Sequence, residues 1–209
     1  MRTTARSERA ERLSSVISDR WEWECAATDP GVAADPTQLE LTDLAWIPAE
    51  VRGTAAGALR ADGSWSPGVD DSEALDGRDW WFRCRFADPG AGPWALRLRG
   101  LATFADVWLN GSHLLHSENM FLGHECEIDR LRAENELCIR FAALDAAIAG
   151  KRPRPRWKTR LIRDSNLRWV RTTLLGRMDG WAGWAAPVGP WRPVEMVSRG
   201  TAPRVVAST

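Results

Sequence analysis

The sequence contains no apolar run that approaches the roughly 18 residues of a membrane-spanning helix. Residues 1–15 carry charges where a secretory signal peptide needs an apolar stretch. Neither a membrane span nor a signal peptide is predicted, so we expect a cytoplasmic protein. The formal net charge is zero, which gives no overall bias toward nucleic acid or an anionic membrane.

Cysteine is scarce and its spacing is unsuited to metal binding. None of the four cysteines forms a CxxC pair or the Cys/His spacing that zinc requires. Each lies in a strand-like run, so we predict buried structural thiols and neither a metal nor another cofactor. The cysteines are Cys25, Cys84, Cys126 and Cys138.

Residues 78–141 alternate between apolar and polar side chains, which predicts half-buried antiparallel strands. Asn110-Gly111 lies between two such runs and predicts a type I′ hairpin turn, because both central residues of that turn need positive φ. The fold class predicted is all-β, an antiparallel sandwich. The residues expected to share one core are Trp80, Phe82, Leu96, Trp108, Cys126, Ile139 and Phe141.

Five sequence segments occur in an order and at a spacing typical of a known family. They are RDWWFRCRF, LRLRGLATFADVWLNG, NMF, ENELCIRF and VGPWRPVEM. Together they resemble the N-terminal, jelly-roll sugar-binding domain of family 2 glycoside hydrolases, within the β-mannosidase-like branch. The resemblance runs from about Ile47 to Met196. It implies a galactose-binding-like sandwich followed by an immunoglobulin-like domain and a (β/α)8 barrel that carries the catalytic carboxylates. Within NMF we expect Met120 and Phe121 in the interior and Asn119 capping a turn.

The length of 209 residues suits one large all-β domain, whereas a TIM barrel alone takes roughly 250. We therefore expect a single domain, with an N-terminal helix in residues 1–19 and the sandwich in residues 20–200. Residues 201–209 resemble the start of a linker to a missing domain. On this interpretation the immunoglobulin-like domain and the barrel are partners outside this chain, and the isolated chain is inactive.

Residues 177–191, RMDGWAGWAAPVGPW, contain the candidate site. In β-mannosidases the corresponding segment is close to FGWDWGP, and its Trp-Asp pair lines the subsite for the non-reducing sugar. The resemblance implies carbohydrate-binding roles for Trp181, Trp184 and Asp179. Aligning the Gly-Trp pairs places Ala182 where the family has its Asp, so either Asp179 acts from a shifted position, recognition differs, or the site has decayed.

Other acidic groups are weaker candidates, and no catalytic residue is assigned. Asn135-Glu136 is similar to the Asn-Glu pair of this hydrolase clan but begins an alternating strand. A retaining glycosidase needs two carboxylates about 5 to 5.5 Å apart. The only close pairs in suggestive places are Asp70-Asp71 and Glu125/Glu127, and Glu125 and Glu127 are expected on a solvated strand face. His113, His116 and His124 lie outside any GxSxG context, so a structural role is predicted for all three.

Three functions remain open at the sequence level. The first is the N-terminal domain of a β-mannosidase-like hydrolase that lines a substrate cleft. The second is a free-standing carbohydrate-binding module that uses exposed Trp81, Trp65 or Trp157 as a stacking platform. The third is a protein-interaction or nucleic-acid module that uses the basic run of residues 151–163, although the neutral total charge argues against nucleic acid as a partner.

Overall fold

A computed structural model describes residues 21–66, 75–153, 159–162, 164–178, 181 and 185–199. The predicted helix of residues 1–19 and the predicted linker of residues 201–209 lie outside these ranges, so the proposed division of the chain stays a prediction. Among the residues described, no helix is both long enough and apolar enough to cross a bilayer.

Two antiparallel sheets account for the strands in the described ranges. The strands are β1 Trp23–Thr28, β2 Ile47–Ala49, β3 Asp79–Ala87, β4 Trp94–Leu98, β5 Ala105–Leu109, β6 Ser112–Ser117, β7 His124–Ile128, β8 Glu134–Phe141 and β9 Val194–Ser198. The larger sheet has the order β2-β1-β3-β8-β5-β6, and the smaller has the order β7-β4-β9. This confirms the predicted all-β sandwich.

Short helices connect the strands. They are α1 Pro36–Leu39, α2 Ala55–Asp62, α3 Leu144–Ile148 and a 3-10 helix at Ser165–Trp169. Asp35 and Thr54 cap α1 and α2 by accepting hydrogen bonds from backbone N–H groups of their first turns. Capping matters here because helices this short have little stability of their own.

The main core lies between the two sheets. Phe82 pairs in register with Ile139, and its ring meets Phe141 edge to face with 5.5 Å between centroids. Leu96 and Met196 of the smaller sheet are fully buried in the same cluster. Of the seven side chains expected to share one core, six do: Trp80, Phe82, Leu96, Ile139 and Phe141 are buried in it, and the half-buried Cys126 packs against it.

Trp108 is the exception, because it belongs to a second core on the outer face of the larger sheet. Val107 and Leu109 point into the sandwich, so the alternation of β5 sends Trp108 outward. There its ring stacks on Trp81 with 5.6 Å between centroids, and Ala33 and Leu39 cover the pair. The prediction for Trp108 was wrong because residues 29–46 form a layer over this face and enclose the ring there. The sequence of these residues shows no clear strand pattern, so the layer could not be predicted from it.

Turn chemistry explains two further details. Asn110 and Gly111 both have positive φ, at 53° and 79°, as the hairpin prediction requires. Asn119 accepts a hydrogen bond from the Phe121 backbone N–H at 3.0 Å, which confirms the turn cap. Met120 is buried as predicted, whereas the expectation for Phe121 was wrong: the capped turn leaves its ring about half exposed.

We predict that Trp81→Ala lowers the free energy of unfolding by about 3 to 5 kcal/mol, because it empties a fully enclosed site on the outer face. Trp169→Ala is the matched control, since that ring is half exposed and its loss should stay within about 0.5 kcal/mol. Urea unfolding measures both. A small effect of Trp81→Ala would contradict the second core.

Candidate functional site

The candidate loop begins at a buried ion pair between Arg177 and Asp76. The Arg177 guanidinium donates from Nε to Asp76 Oδ2 and from Nη2 to Asp76 Oδ1, both at 2.7 Å. The two side chains are 1% and 0% exposed. A bidentate pair fixes the direction of the guanidinium as well as its position. The pair joins residues 101 positions apart in sequence.

The third nitrogen of Arg177 ties the loop to the end of the sandwich. Nη1 donates to the Thr173 carbonyl at 2.8 Å and to Thr172 Oγ1 at 3.4 Å. Thr172 Oγ1 lies 2.6 Å from Thr103 Oγ1, just before β5. The Thr173 N–H contacts the sulfur of the buried Met120 at 3.0 Å. The buried guanidinium therefore has partners on every side, which is what burial of a charge requires.

A close backbone approach joins the two arms of the loop. Gly176 has φ of +80°, and a Cβ at this position would clash with the backbone of Ala185. Only glycine satisfies both conditions without strain. Beyond the contact Ala186 is fully buried, and the Val188 carbonyl accepts a hydrogen bond from the Ala55 N–H at 2.8 Å. The base of the loop is thus held on both arms.

Trp181 lies between these arms and is 72% exposed. Its backbone N–H donates to the Met178 carbonyl at 3.1 Å. An exposed indole on an anchored loop offers a flat apolar face to a ligand. Asp179 and Trp184, the other two predicted site residues, lie outside the described residues, so their roles and the role of Trp181 stay predictions.

The clan-like Asn135-Glu136 pair has structural partners. Asn135 is buried, and its side chain bonds Arg132 backbone groups and Asn110, which holds the hairpin turn against the start of β8. Glu136 accepts from Arg85 Nε at 2.9 Å.

The Glu125/Glu127 pair is likewise engaged on the sheet surface. Glu125 accepts from Arg97 at 2.6 Å, and Glu127 pairs with Arg199. Asp70-Asp71 lies outside the described ranges. Arg97 and Glu125 lie opposite each other on β4 and β7, as in a cross-strand ion pair, whereas Arg199 follows β9.

The histidines also bond to neighbours on the hairpin. His113 Nε2 and His116 Nδ1 lie 3.2 and 2.8 Å from the same oxygen of Asp106, and His124 bonds Ser117. Burial opposes protonation of His116, but the hydrogen bond and charge of Asp106 raise its pKa above the usual value. Within the described ranges no group of three or more His, Cys, Asp or Glu is arranged to hold a metal ion.

The prediction that Trp81, Trp65 or Trp157 forms an exposed stacking platform is partly wrong. Trp81 is fully buried under residues 29–46, so it cannot contact a sugar. Trp65 is half-buried and packs against the main core. Trp157 and much of the basic run lie outside the described part of the chain.

The Arg177–Asp76 pair is the feature that sequence reasoning missed. Arg177 begins the recognised string, but Asp76 lies in an acidic stretch, DDSEALDGRD, with nothing to mark it from its neighbours. A contact across 101 positions has no local periodicity, and a single sequence offers no other signal for it.

Comparison with known proteins shows which family of domains this sandwich matches. The family described as "Glycosyl hydrolase 2 galactose-binding domain-like" matches residues 21–192. Beta-mannosidase B from Thermothelomyces thermophilus is 34% identical over 135 residues, which cover 56% of this chain and 14% of that protein.

Solved structures share the fold. Beta-D-Mannosidase from Dictyoglomus thermophilum matches with a TM-score of 0.65 at 21% identity, over 88% of this chain and 22% of that one. A GH2 beta-galacturonidase from Eisenbergiella tayi bound to glycerol matches with a TM-score of 0.50 at 13% identity, over 90% of this chain and 24% of that one. The chain thus spans less than a quarter of each of these relatives.

We predict that Arg177→Met destabilises the chain by about 3 to 5 kcal/mol, because it removes the bidentate cationic partner of the buried Asp76 carboxylate. Adding Asp76→Leu to this variant should restore part of the loss, since the second change removes the buried carboxylate. Urea unfolding of the single and double variants tests this. A double variant no more stable than Arg177→Met would contradict the role of the pair.

The buried thiols generate a second prediction. Burial raises the pKa of Cys25 and of Cys138 to about 12, and it also raises the pKa of Cys84. Because the thiolate is the reactive species, iodoacetamide at pH 8 should leave these three unmodified in the folded chain. The half-buried Cys126 should react first, and all four should react in urea. Mass spectrometry of tryptic peptides measures the order in which the cysteines are modified. Early labelling of Cys138 would contradict its burial.

Proposed function

The chain belongs to the glycosyl hydrolase 2 galactose-binding domain-like family, and from that premise we propose that it forms one wall of the substrate cleft of a β-mannosidase-like glycoside hydrolase. In this proposal the chain is the N-terminal sandwich, and the catalytic carboxylates belong to a barrel domain outside it. The name of the 34% identical relative supports a β-mannoside as the substrate class.

The observation that carries the proposal is the exposed Trp181, which lies four positions after the buried, ion-paired Arg177. The flat face of an indole packs on the C–H surface of a pyranose. A ring whose support is already ordered before binding loses less conformational entropy when the sugar arrives. Arg177 and Gly176 hold the two arms of the loop, and Trp181 contacts the non-reducing sugar.

Ala182 changes what the wall can contribute. The family has an aspartate at this place, whose carboxylate can accept two hydroxyl hydrogen bonds. With a methyl group here, Trp181 supplies apolar contact, and Asp179 or Trp184 supplies the remaining recognition. Hydrolysis itself needs two carboxylates about 5 to 5.5 Å apart, which this proposal assigns to the barrel. The chain therefore positions the sugar and shields the reacting bond from water.

We predict that Trp181→Ala, in the full-length protein that carries this chain, lowers kcat/KM for p-nitrophenyl β-mannoside by about 10- to 100-fold, because the indole would no longer pack on the sugar in the transition state. That change corresponds to about 1.4 to 2.7 kcal/mol of transition-state stabilisation. The melting temperature of the isolated chain should hardly change, since the ring is 72% exposed there. Trp169→Ala is the matched control and should leave kcat/KM unaltered.

The isolated 209-residue chain should hydrolyse the same substrate no faster than buffer does. Turnover by the isolated chain that disappears with Glu136→Gln would overturn the assignment of catalysis to the barrel. Equal kcat/KM for Trp181→Ala and the unaltered full-length protein would remove Trp181 from the cleft.

A further inference from the structure

Two histidines of the β5–β6 hairpin share one carboxylate on the outer face of the larger sheet. Asp106 of β5 lies opposite His116 of β6, and its Oδ1 is 2.8 Å from His116 Nδ1 and 3.2 Å from His113 Nε2. The other ring nitrogen of His116, Nε2, lies 3.4 Å from Glu118 Oε1. His116 therefore lies between two carboxylates, one facing each nitrogen of its ring.

This geometry fits the protonated ring of His116 better than the neutral ring. An ionised carboxylate only accepts hydrogen bonds, whereas a neutral imidazole carries a proton on one of its two nitrogens. Neutral His116 can thus donate to Asp106 or to Glu118, and the remaining contact sets a lone pair against an anion. The imidazolium donates to both. Burial opposes protonation of the ring, but the hydrogen bonds and charges of Asp106 and Glu118 raise the pKa of His116 above its usual value.

The other charged and titratable groups around this ring act on it less directly. His113 contacts Asp106 through Nε2, and its ring packs edge to face on Trp108 with 5.4 Å between centroids. On β8, Arg140 lies in register with Asp106. Its guanidinium donates to backbone carbonyls in the layer of residues 29–46. The charge of Arg140 is therefore engaged with that layer, and Asp106 remains the carboxylate shared by the two histidines.

The segment that follows His116 supports the base of the candidate loop. Asn119 pairs with Arg171 in a short parallel bridge, and the Met120 N–H donates to the Arg171 carbonyl at 3.0 Å. The Met120 sulfur in turn contacts the Thr173 N–H. A contact that fastens His116 therefore restrains the start of this segment.

We propose that His116 is a pH-sensitive clamp, whose protonated ring ties Asp106 on β5 to Glu118 after β6 and whose deprotonation releases Glu118. Because the pKa of His116 is raised in the folded chain, the stabilisation is complete below the pKa of an unfolded histidine, about 6.5, and is lost as pH rises through the higher folded value. The clamp orders residues 116–120 in mildly acidic solution and loosens them at higher pH, whether or not Trp181 contacts a sugar.

The first test is an NMR titration of the histidine rings in the 209-residue chain. His116 should titrate above about pH 6.5 and His124 below it, since burial lowers the pKa of His124. Glu118→Gln should lower the pKa of His116, because it removes the second anion and an amide can donate to the neutral Nε2. Glu134→Gln is the matched control. It removes an exposed charge at the start of β8, whereas Asp106 pairs with the other end of that strand, so this pKa should stay unchanged.

The second test is hydrogen exchange at the backbone amides of residues 116–120, compared as protection factors at about pH 5.5 and about pH 8, on either side of the histidine range. Protection should be about two- to fivefold higher at the lower pH, the size expected of a partly exposed ion pair. In Glu118→Gln the difference should disappear.

Four results would each overturn the proposal. They are a His116 that titrates at or below about pH 6.5, an unaltered pKa of His116 in Glu118→Gln, equal protection of residues 116–120 at both pH values in the unaltered chain, and a pH difference that persists in Glu118→Gln. The last result would assign the pH dependence to a group other than the clamp.

Discussion

The candidate site depends on one interaction, the ion pair of Arg177 and Asp76 that is taken entirely out of water. Removing two charges from water costs several kcal/mol for each ion, and only good geometry and further hydrogen bonds offset that cost. Here the guanidinium is bidentate to its partner and bonds two threonines besides. Such a pair defines position more than it adds stability, since apolar replacements of similar size often stabilise as well. Its consequence is a fixed base for the loop that carries the exposed Trp181.

The sandwich could be predicted because its strands alternate with period two. The pattern of β3 specified which of its side chains enter the core, and Asn110-Gly111 specified the hairpin through its need for positive φ. Trp108 was assigned wrongly from a strand pattern, and Phe121 was assigned wrongly from the resemblance of the NMF string to the family. Alternation says which side chains share a face, but it does not say what covers that face. The layer of residues 29–46 enclosed one ring, and a capped turn left the other in solvent.

The candidate site was predictable only where a string of residues carried it. Trp181 could be found because it lies in GWAGW, which resembles a motif of the family, and its exposure is compatible with a role in binding. Asp76 could not be found, because its significance comes from a contact made in three dimensions.

Trp181 is presented on a loop anchored by buried contacts, which suits a residue that must meet a partner surface in a fixed place. The central claim concerns this residue, and the most direct measurement is a crystal structure of the full-length protein with a β-mannoside bound at its catalytic carboxylates. The account predicts carbon atoms of the non-reducing sugar within about 4.0 to 4.5 Å of the Trp181 ring. A sugar bound there with Trp181 buried against protein alone, or turned to solvent away from it, would contradict the account.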